Sequence, residues 1–408
     1  MVSFSDFGTA ITGKTPSSSY PEDFGSEIPF VTPSDFFDLK YIKQTNRYLS
    51  KEGARKLRGK ILPPDSVLVT CIGYVGKVSM VRRESITNQQ INSIIVNEQF
   101  DPHYVYYCLV NNYKLIRNAA RGSTSLPLLN KAEFERLKCS IHFSKEDQLE
   151  ISKLLSLLDN KIELNIRINA KLEAMAKALH DFWFVQFDFP DANNKPYKTS
   201  GGKMVYNTEL KREIPEGWSA NQVGRMEPNI VTGKTPSTQN PVFFGGEIPF
   251  ITIGDIRDNT FIVKTEQTLS VEGANSQGNK YLPEGAICVT CIATPGLVGF
   301  VTQPSQTNQQ INSIICSNIH NRYFMYFAIN AYFSGAKAKT GNTFANMNKG
   351  DFSEILLVEP PENVRKLFHE KVDAIFEKIK VTQLENSQLV KLKDWLLPML
   401  MNGQIKVI

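Results

Sequence analysis

The segment Gly8–Thr15 matches the phosphate-binding pattern GxxxxGK[ST] letter for letter. Such a loop needs a strand before it and a helix that begins at its lysine, so that backbone amides face the phosphates. Here Pro16 follows the motif directly and prevents a normal helix start. A second GKTP segment begins at Gly233, but Pro228 stands where the first glycine of the pattern belongs. The repeated feature is therefore GKTP, and the sequence argues against nucleotide binding here.

Cysteine and histidine residues show no spacing typical of a metal or catalytic site. Cys288 and Cys291 have CxxC spacing, but no second Cys or His pair lies near them. Residues three apart in a strand also point to opposite faces, so buried core thiols are the favoured interpretation. The chain contains no GxSxG, HExxH or paired acidic motif. The sequence thus nominates no catalytic residue, no metal ligand and no cofactor site.

The chain is an internal duplication with an offset of 220 residues. Residues 13–96 align with residues 233–316 without a gap, and 42 of the 84 aligned pairs are identical. The nonapeptide TNQQINSII occurs unchanged at 87–95 and at 307–315. A long period that is repeated only twice predicts two like domains rather than a solenoid.

Each copy begins with short β-branched runs separated by Pro and Gly, and it continues with helical, aromatic-rich patterning. This order predicts an α+β module followed by a long helix. The segment between the first helix and the second module is rich in Gly, Asn and Lys and predicts a linker. The predicted parts are a first module (1–144), a central helix (145–188), a linker (189–215), a second module (216–355) and a C-terminal helix (356–408).

Both long helical segments are amphipathic, with an apolar stripe at each end and polar residues in the middle. Asn165 occupies a heptad a position of the first, and Thr382 occupies the matching position of the second. The second helix is expected to run from about 362 to 397 and to end ahead of Pro398. Each helix could pack only on its own module, but a polar a-position layer is typical of paired helices whose register it fixes. We therefore expect an antiparallel coiled coil between two modules and a pseudo-two-fold molecule.

Composition excludes several classes of protein. The 408 residues are 41% hydrophobic and 21% charged, which is typical of a globular protein. No apolar run reaches the roughly 18 residues of a membrane-spanning helix. The first residues show no secretory signal, so we expect a cytoplasmic protein without a membrane partner. The net charge of +5 permits an anionic partner but does not demonstrate one.

Loops that differ between two copies of one scaffold are candidates for recognition. The loop after the repeated EGA is cationic at 55–60 and polar but less charged at 275–280. Residues 1–144 carry 18 basic and 13 acidic side chains, whereas residues 216–355 carry 9 and 10. Arg, Lys, Asn, Gln, Ser and Thr hold phosphates and recognise base edges, although they are also common in solvated loops. The DNA-binding candidates are Lys14, Arg55, Lys56, Arg58, Lys60, Arg82, Arg83, Arg117, Arg121, Ser123, Thr124 and Lys131 in the first module, and Lys234, Asn275, Ser276, Gln277, Lys280, Lys337, Lys339, Asn342, Thr343 and Lys349 in the second.

The repeated TNQQINSII has two interpretations. Its Asn and Gln amides could satisfy buried backbone groups, or Gln89 and Gln90, with Gln309 and Gln310, could contact adenine edges. Identity between the copies favours the structural role, because residues that recognise different half-sites should differ.

The order and duplication of these segments resemble the specificity subunit of a type I restriction-modification system. The residues that carry the resemblance are IPEGW at 214–218, the two GKTP, EIPF and TNQQINSII segments, and KEDQ at 145–148. The first module lacks an IPEGW-like start, and the last helix follows Glu359-Pro-Pro without the usual Glu-Gln. The resemblance covers essentially the whole chain.

The resemblance implies two target recognition domains, each followed by a helix, with the helices forming an antiparallel coiled coil. Each domain would recognise one half of a bipartite site in double-stranded DNA, and the coiled coil would set the spacing. It further implies that the chain is non-catalytic and binds no cofactor, and that it lies at the nucleoid of a bacterium or archaeon. Two DNA methyltransferase subunits would dock and use S-adenosylmethionine, and two restriction subunits that use ATP and Mg²⁺ can join.

The alternative is a coiled-coil scaffold with two protein- or glycan-binding modules and no DNA role. The weak basicity of the second module is the observation that favours it.

Overall fold

The computed structural model describes residues 1–36, 39–120, 127–141, 144–340 and 346–407, except for the side chains of 337–340. It divides into two compact units. The first comprises residues 1–164 together with the C-terminal residues from 388 onwards, and the second comprises residues 165–387. Each unit therefore contains one α+β module and part of both long helices.

The first unit is built on two four-stranded sheets. Its strands are β1 (Val2–Ser3), β2 (Gly8–Thr12), β3 (Phe24–Gly25), β4 (Ile28–Val31), β5 (Arg47–Leu49), β6 (Val67–Thr70), β7 (Val78–Met80), β8 (Ile86–Thr87), β9 (Ile91–Val96) and β10 (Lys138–Cys139). The strand orders are β2-β9-β6-β7 and β3-β5-β4-β8, and β1 pairs with β10. The β4–β8 pair is parallel and the other pairs are antiparallel.

The second unit repeats this arrangement with additions. Its strands are β11 (Met204–Asn207), β12 (Arg212–Pro215), β13 (Ser219–Gln222), β14 (Ile230–Thr232), β15 (Phe244–Ile251), β16 (Phe261–Ile262), β17 (Gln267–Leu269), β18 (Ile287–Thr290), β19 (Val298–Val301), β20 (Gln306–Thr307), β21 (Ile311–Ile314) and β22 (Leu356–Glu359). The main sheet has the order β14-β21-β18-β19-β16, and the second sheet has the order β17-β15-β20. The remaining pairs are β11-β12 and β13-β22.

Short helices lie between the strands of each module, longer ones lie in its second half, and two helices form the long segments. They are α1 (Lys51–Lys56), α2 (Pro102–Asn111), α3 (Tyr113–Ala119), α4 (Lys131–Arg136), α5 (Lys145–His180), α6 (Val223–Met226), α7 (Ile253–Ile256), α8 (Val271–Asn275), α9 (Arg322–Thr340), α10 (Lys349–Ser353) and α11 (Glu362–Met401). A π-helical turn (Asp181–Val185) follows α5. Short 3₁₀ turns lie at Phe4–Phe7, Pro21–Asp23, Pro33–Asp35, Arg58–Lys60, Pro241–Phe243, Gly278–Lys280 and Ile319–Asn321. No helix of the described part is long and apolar enough to cross a membrane.

The apolar ends of the long helices are buried in the modules. In the first unit, Ile151 and Leu155 of α5 and Leu400 of α11 belong to the core that contains strands β6 and β9. In the second unit, Ala176 of α5 and Phe368 of α11 belong to the core around β18. Burial of these stripes fixes each end of a long helix against the core of the unit that contains that end.

The polar middle of the helices is a layer of hydrogen bonds between α5 and α11. In the second unit, Asn165 Nδ2 donates to Glu385 Oε2 at 2.7 Å, and the Thr382 hydroxyl donates to Asn169. In the first unit, Lys393 Nζ donates to Asp159 Oδ1 at 2.7 Å. Residue numbers rise along α5 as those of its partners fall along α11. The antiparallel coiled coil that the sequence predicts is therefore confirmed.

Two expectations about the ends of these elements need correction or refinement. Helix α11 does not stop before Pro398 but continues to Met401. A proline costs only one hydrogen bond in a last turn, and the burial of Leu400 and Met401 stabilises that turn. The predicted linker carries the β11–β12 hairpin, and its Phe189 and Ile214 are buried.

Candidate nucleic-acid interface

The two GKTP segments pack directly onto the TNQQINSII segments. The Gly13 amide donates to Ile91 O at 3.2 Å, and the Lys14 amide donates to Thr87 O at 2.9 Å. A Cβ at Gly13 would lie 2.2 Å from Thr87 O, so only glycine fits. The Gly13 and Lys14 amides, two of those that a phosphate-binding loop would offer, are therefore already bonded. This geometry confirms that GKTP is a structural repeat.

The Asn and Gln side chains of TNQQINSII form the same network in both modules. Thr12 Oγ1 donates to Asn92 Oδ1 at 2.6 Å, and Thr15 Oγ1 donates to Gln89 Oε1 at 2.6 Å. Thr232 and Thr235 make the equivalent bonds to Asn312 and Gln309, each at 2.7 Å. The network fixes GKTP and the strand before it to TNQQINSII, which supports the structural interpretation of this peptide.

The cationic loop of the first module lies beside the segment that follows GKTP. Lys56 Nζ bonds to the buried Asp23 carboxylate at 2.6 Å and lies 4.9 Å from the Tyr20 ring centroid. Its charge is thereby used to hold α1 against residues 20–23. Arg55 Nη2 lies 2.9 Å from Glu52 Oε1 on an exposed surface. Lys14 and Arg58 are exposed, and Lys60 is half-buried.

Arg82 and Arg83 follow strand β7 at a separate part of the first unit. The Arg82 guanidinium lies 4.4 Å from the Tyr41 ring centroid, and its Nη2 lies 2.9 Å from Glu163 Oε2. Arg83 is exposed and lies 5.8 Å from the Tyr48 ring centroid.

Sequence reasoning missed Lys43, whose Nζ lies 4.0 Å from Glu163 Oε1. Comparison of the two copies could have found it, because Val263 stands at the matching position of the second module.

The loop after α8 in the second module has the same backbone arrangement but different side chains. Asn275 and Ser276 are exposed, Lys280 is half-buried, and Lys234 is exposed. Gln277 is only 5% exposed, and its Nε2 donates to Lys234 O at 2.6 Å and to Gln306 Oε1 at 2.8 Å. Its prediction as a DNA contact is therefore wrong for this conformation, because both donor directions are used inside the module.

The remaining candidates lie on the helical half of each module. Arg117 is exposed and donates to Tyr113 OH at 3.2 Å, and Lys131 pairs with Glu135 at 3.5 Å. Lys349 is exposed at the start of α10, which Asn348 caps. The candidates that lie outside the described residues are Arg121, Ser123, Thr124, Asn342 and Thr343, and Lys337 and Lys339 lie in α9 with side chains outside the description.

The cysteines of the second module have the environment of core residues. Cys288 and Cys291 are buried, and burial raises the pKa of Cys288 to about 12 and that of Cys291 to about 11. Both are therefore protonated thiols at neutral pH, unsuited to attack a substrate or bind a metal as thiolates. In the part of the chain that the structure describes, no group of three or more His, Cys, Asp and Glu side chains could hold a metal ion.

Comparison with known proteins identifies relatives of the whole chain. The family model described as "Type I restriction modification DNA specificity domain" matches residues 1–174 and again residues 221–391. The HindI specificity subunit of a type I restriction enzyme of Haemophilus influenzae is 32% identical over 361 residues, covering 74% of this chain and 77% of that protein.

More distant relatives cover almost the full length. The MjaIX specificity subunit of Methanocaldococcus jannaschii is 26% identical over 415 residues, covering 98% of this chain and 92% of that one. Among solved structures, the S subunit of a type I restriction-modification system of M. genitalium has a TM-score of 0.54 at 15% identity, covering 98% and 95% of the two chains. That likeness concerns the fold.

Proposed function

The chain belongs to the family of type I restriction-modification DNA specificity subunits, and we propose that each of its modules recognises one half of a bipartite DNA site. The chain is the sequence-specific DNA-binding member of its complex and is not itself the catalyst. The helix pair α5–α11 would set the distance between the half-sites. We place the complex at the DNA of a bacterial or archaeal cell.

The two modules share the same local backbone structure but carry different exposed side chains on it, and this observation carries the proposal. Ser50 Oγ caps α1 through the Gly53 amide at 3.1 Å, and Ser270 Oγ caps α8 through the Gly273 amide at 3.0 Å. On these matching helices, the exposed Arg55 and its exposed counterpart Asn275 differ in charge and in hydrogen-bonding geometry. Arginine suits guanine edges and phosphates, and asparagine suits adenine edges, so the two modules would select different sequences.

The partners follow from the same proposal. Two methyltransferase subunits would supply S-adenosylmethionine and transfer the methyl group to adenine, and two restriction subunits would add ATP- and Mg²⁺-dependent cleavage. This chain would contribute neither cofactor site nor reacting group.

An apolar surface of the first unit is suited to such docking. Leu392 and Trp395 of α11 are 42% and 55% exposed, and Leu157 and Leu164 of α5 are 60% and 48% exposed. Spacings of three and seven residues place each pair on one face of its helix. We propose that this surface contacts a methyltransferase subunit, because exposed aromatic and Leu side chains at a protein interface provide anchors for a partner.

Methylome sequencing tests the function directly. Cells that carry this gene with the neighbouring methyltransferase gene are compared with cells in which this chain is deleted. A bipartite adenine-methylated motif that disappears on deletion is the expected result. A motif that persists without this chain would contradict the proposal.

A variant in which residues 275–280 are replaced by the sequence of residues 55–60 tests whether the two modules recognise DNA independently. One half of the motif should change and the other half should stay the same.

A further inference from the structure

A groove of about 430 Å³ in the first unit lies between the segment after residue 41, the turn after β7 and helix α5. The groove is lined by side chains that the protein could use to bind a ligand. The charged and aromatic ones are Lys43, Tyr48, Arg82, Arg83 and Glu163. Arg82 and Arg83 were DNA-binding candidates from the sequence. The sequence did not show that they share a groove with Lys43, Tyr48 and Glu163.

The groove carries an excess of positive charge. Glu163 Oε2 lies 2.9 Å from Arg82 Nη2, and its Oε1 lies 4.0 Å from Lys43 Nζ. Among the described residues that line the groove, three cations thus face one carboxylate. A second negative charge would be attracted to it.

The Arg82 guanidinium is also held in place. It stacks on the Tyr41 ring at 4.4 Å while Glu163 binds its Nη2. A planar guanidinium fixed in this way loses little side-chain entropy when it binds an oxyanion. Tyr48 lies beside Arg83 at 5.8 Å, so the second arginine is also next to an aromatic ring.

We propose that this groove binds a backbone phosphodiester of DNA through Arg82, Arg83 and Lys43, with Glu163 orienting Arg82 while the groove is empty. The proposal rests on the proposed function and deepens it, because it assigns a phosphate site to one module. Two guanidiniums and an ammonium provide the charge-assisted hydrogen-bond donors that a phosphate oxyanion binds. A free phosphate would share this chemistry, and the experiment below separates the two sources.

The second module lacks the same charges at the matching positions. Val263 replaces Lys43, while Thr302 and Gln303 replace Arg82 and Arg83. Thr302 Oγ1 donates to Ile262 O at 2.7 Å and is therefore occupied within its own sheet. On α11, Lys380 stands at the position that matches Glu163 in the aligned helices, and it pairs with Glu284. The phosphate site is therefore expected in the first module and not in the second.

The test measures DNA affinity of the methyltransferase complex over a range of salt. The probe is a fluorescent duplex that contains the methylated motif, and R82Q/R83Q is compared with wild type. T302A/Q303A, at the matching positions of the second module, is the control variant. Between about 50 and 200 mM salt, each lost phosphate contact should reduce the slope of log affinity against log salt by about 0.9. The control should retain the wild-type slope.

A second variant of opposite sign separates charge from folding. E163Q removes the negative charge of the groove and should strengthen binding, whereas R82Q/R83Q should weaken it for matched and scrambled duplexes alike. Weaker binding by both variants, or an unchanged slope for R82Q/R83Q, would overturn the phosphate site.

Free phosphate is examined by adding it at constant ionic strength. Phosphate at matched ionic strength should displace the duplex from the wild-type complex more strongly than chloride does, and R82Q/R83Q should lose this difference. A preference for free phosphate together with an unchanged salt slope of DNA binding in R82Q/R83Q would assign the groove to free phosphate and overturn the DNA assignment. If the wild-type complex failed to bind any duplex, the proposed function itself would fail, which is a result distinct from all of these.

Discussion

Asn165 of helix α5 donates a hydrogen bond from its Nδ2 to Oδ1 of Asn386 in helix α11 at 2.8 Å. The same amide donates to Glu385, and Asn165 is only 1% exposed. Such a bond is made in one register of the helix pair and is lost when one helix slides past the other. A polar layer in an otherwise apolar seam therefore selects the register at some cost in stability.

Asn165→Ala should lower the free energy of unfolding by about 1–3 kcal/mol, because the buried Asn165 amide is lost together with its hydrogen bonds to the half-buried Glu385 and Asn386. The measurement is the urea midpoint of the purified chain. Asn160→Ala is the matched control, since Asn160 is exposed on the same helix. Equal effects of the two substitutions would show that the buried layer contributes nothing.

Acid should destabilise the second unit through His180. Burial among Phe184, Phe327 and Phe368 lowers the pKa of His180 to about 4, whereas the unfolded side chain titrates near 6.5. Between these values the unfolded chain binds a proton that the folded chain does not, so stability falls as the pH drops from about 6.5 to about 4.

His180→Leu should flatten that pH dependence. Unfolding followed by fluorescence of the buried Trp183 and Trp218 checks it, and an unchanged pH profile would exclude His180 as its source.

The buried amide pair of the second module should show strong coupling. Gln277→Leu alone leaves Lys234 O and Gln306 Oε1 without their donor and should cost about 1–3 kcal/mol. The first module has Leu57 and Ile86 at the two positions. The double variant Q277L/Q306I should therefore recover much of that loss. A double-mutant cycle on unfolding free energies measures the coupling, and strictly additive effects would contradict it.

Adding a side chain at either GKTP glycine should destabilise the module that contains that glycine and leave the other module intact. Gly13→Ala forces a Cβ to 2.2 Å from Thr87 O and should destabilise the first module by about 1–3 kcal/mol. Gly233→Ala, where a Cβ would meet Asn308 O at 2.2 Å, should do the same in the second.

The affinity for duplexes with one half-site scrambled, compared with the wild-type affinity for the same duplexes, shows which module has failed. Gly59→Ala is the control, because nothing lies within 4 Å of its added Cβ. Loss of both half-sites from either single change would contradict independent modules.

Docking of a methyltransferase subunit should depend on the exposed apolar residues of α11. Trp395→Ser should reduce copurification of the tagged methyltransferase with this chain without lowering the thermal midpoint of the chain. Val242→Ser is the control, since Val242 is 67% exposed in the second module. Equal copurification with both variants would place the contact elsewhere.

The sequence alone determined the duplication, the α+β character of each module and the antiparallel pairing of the helices. These properties depend on local periodicity and on identity between copies, which are read along the chain. Pro16 argued from the sequence against a phosphate loop, because a proline prevents a normal helix start directly after the motif. The polar residues in the middle of the helices predicted their pairing, because a buried amide needs a partner.

The tertiary structure alone decided which of the polar loop residues are available to a ligand. Gln277 and the exposed Asn275 are both amide residues of the same divergent segment, but Gln277 is buried and bonded to Gln306. Lys56 is committed to Asp23, and Arg82 meets Glu163 from a distant part of the chain. Burial and pairing of this kind depend on residues far apart in sequence, and no local pattern records them. The end of α11 was likewise decided by tertiary packing. The helix continues past Pro398 because the buried Leu400 and Met401 stabilise its last turn.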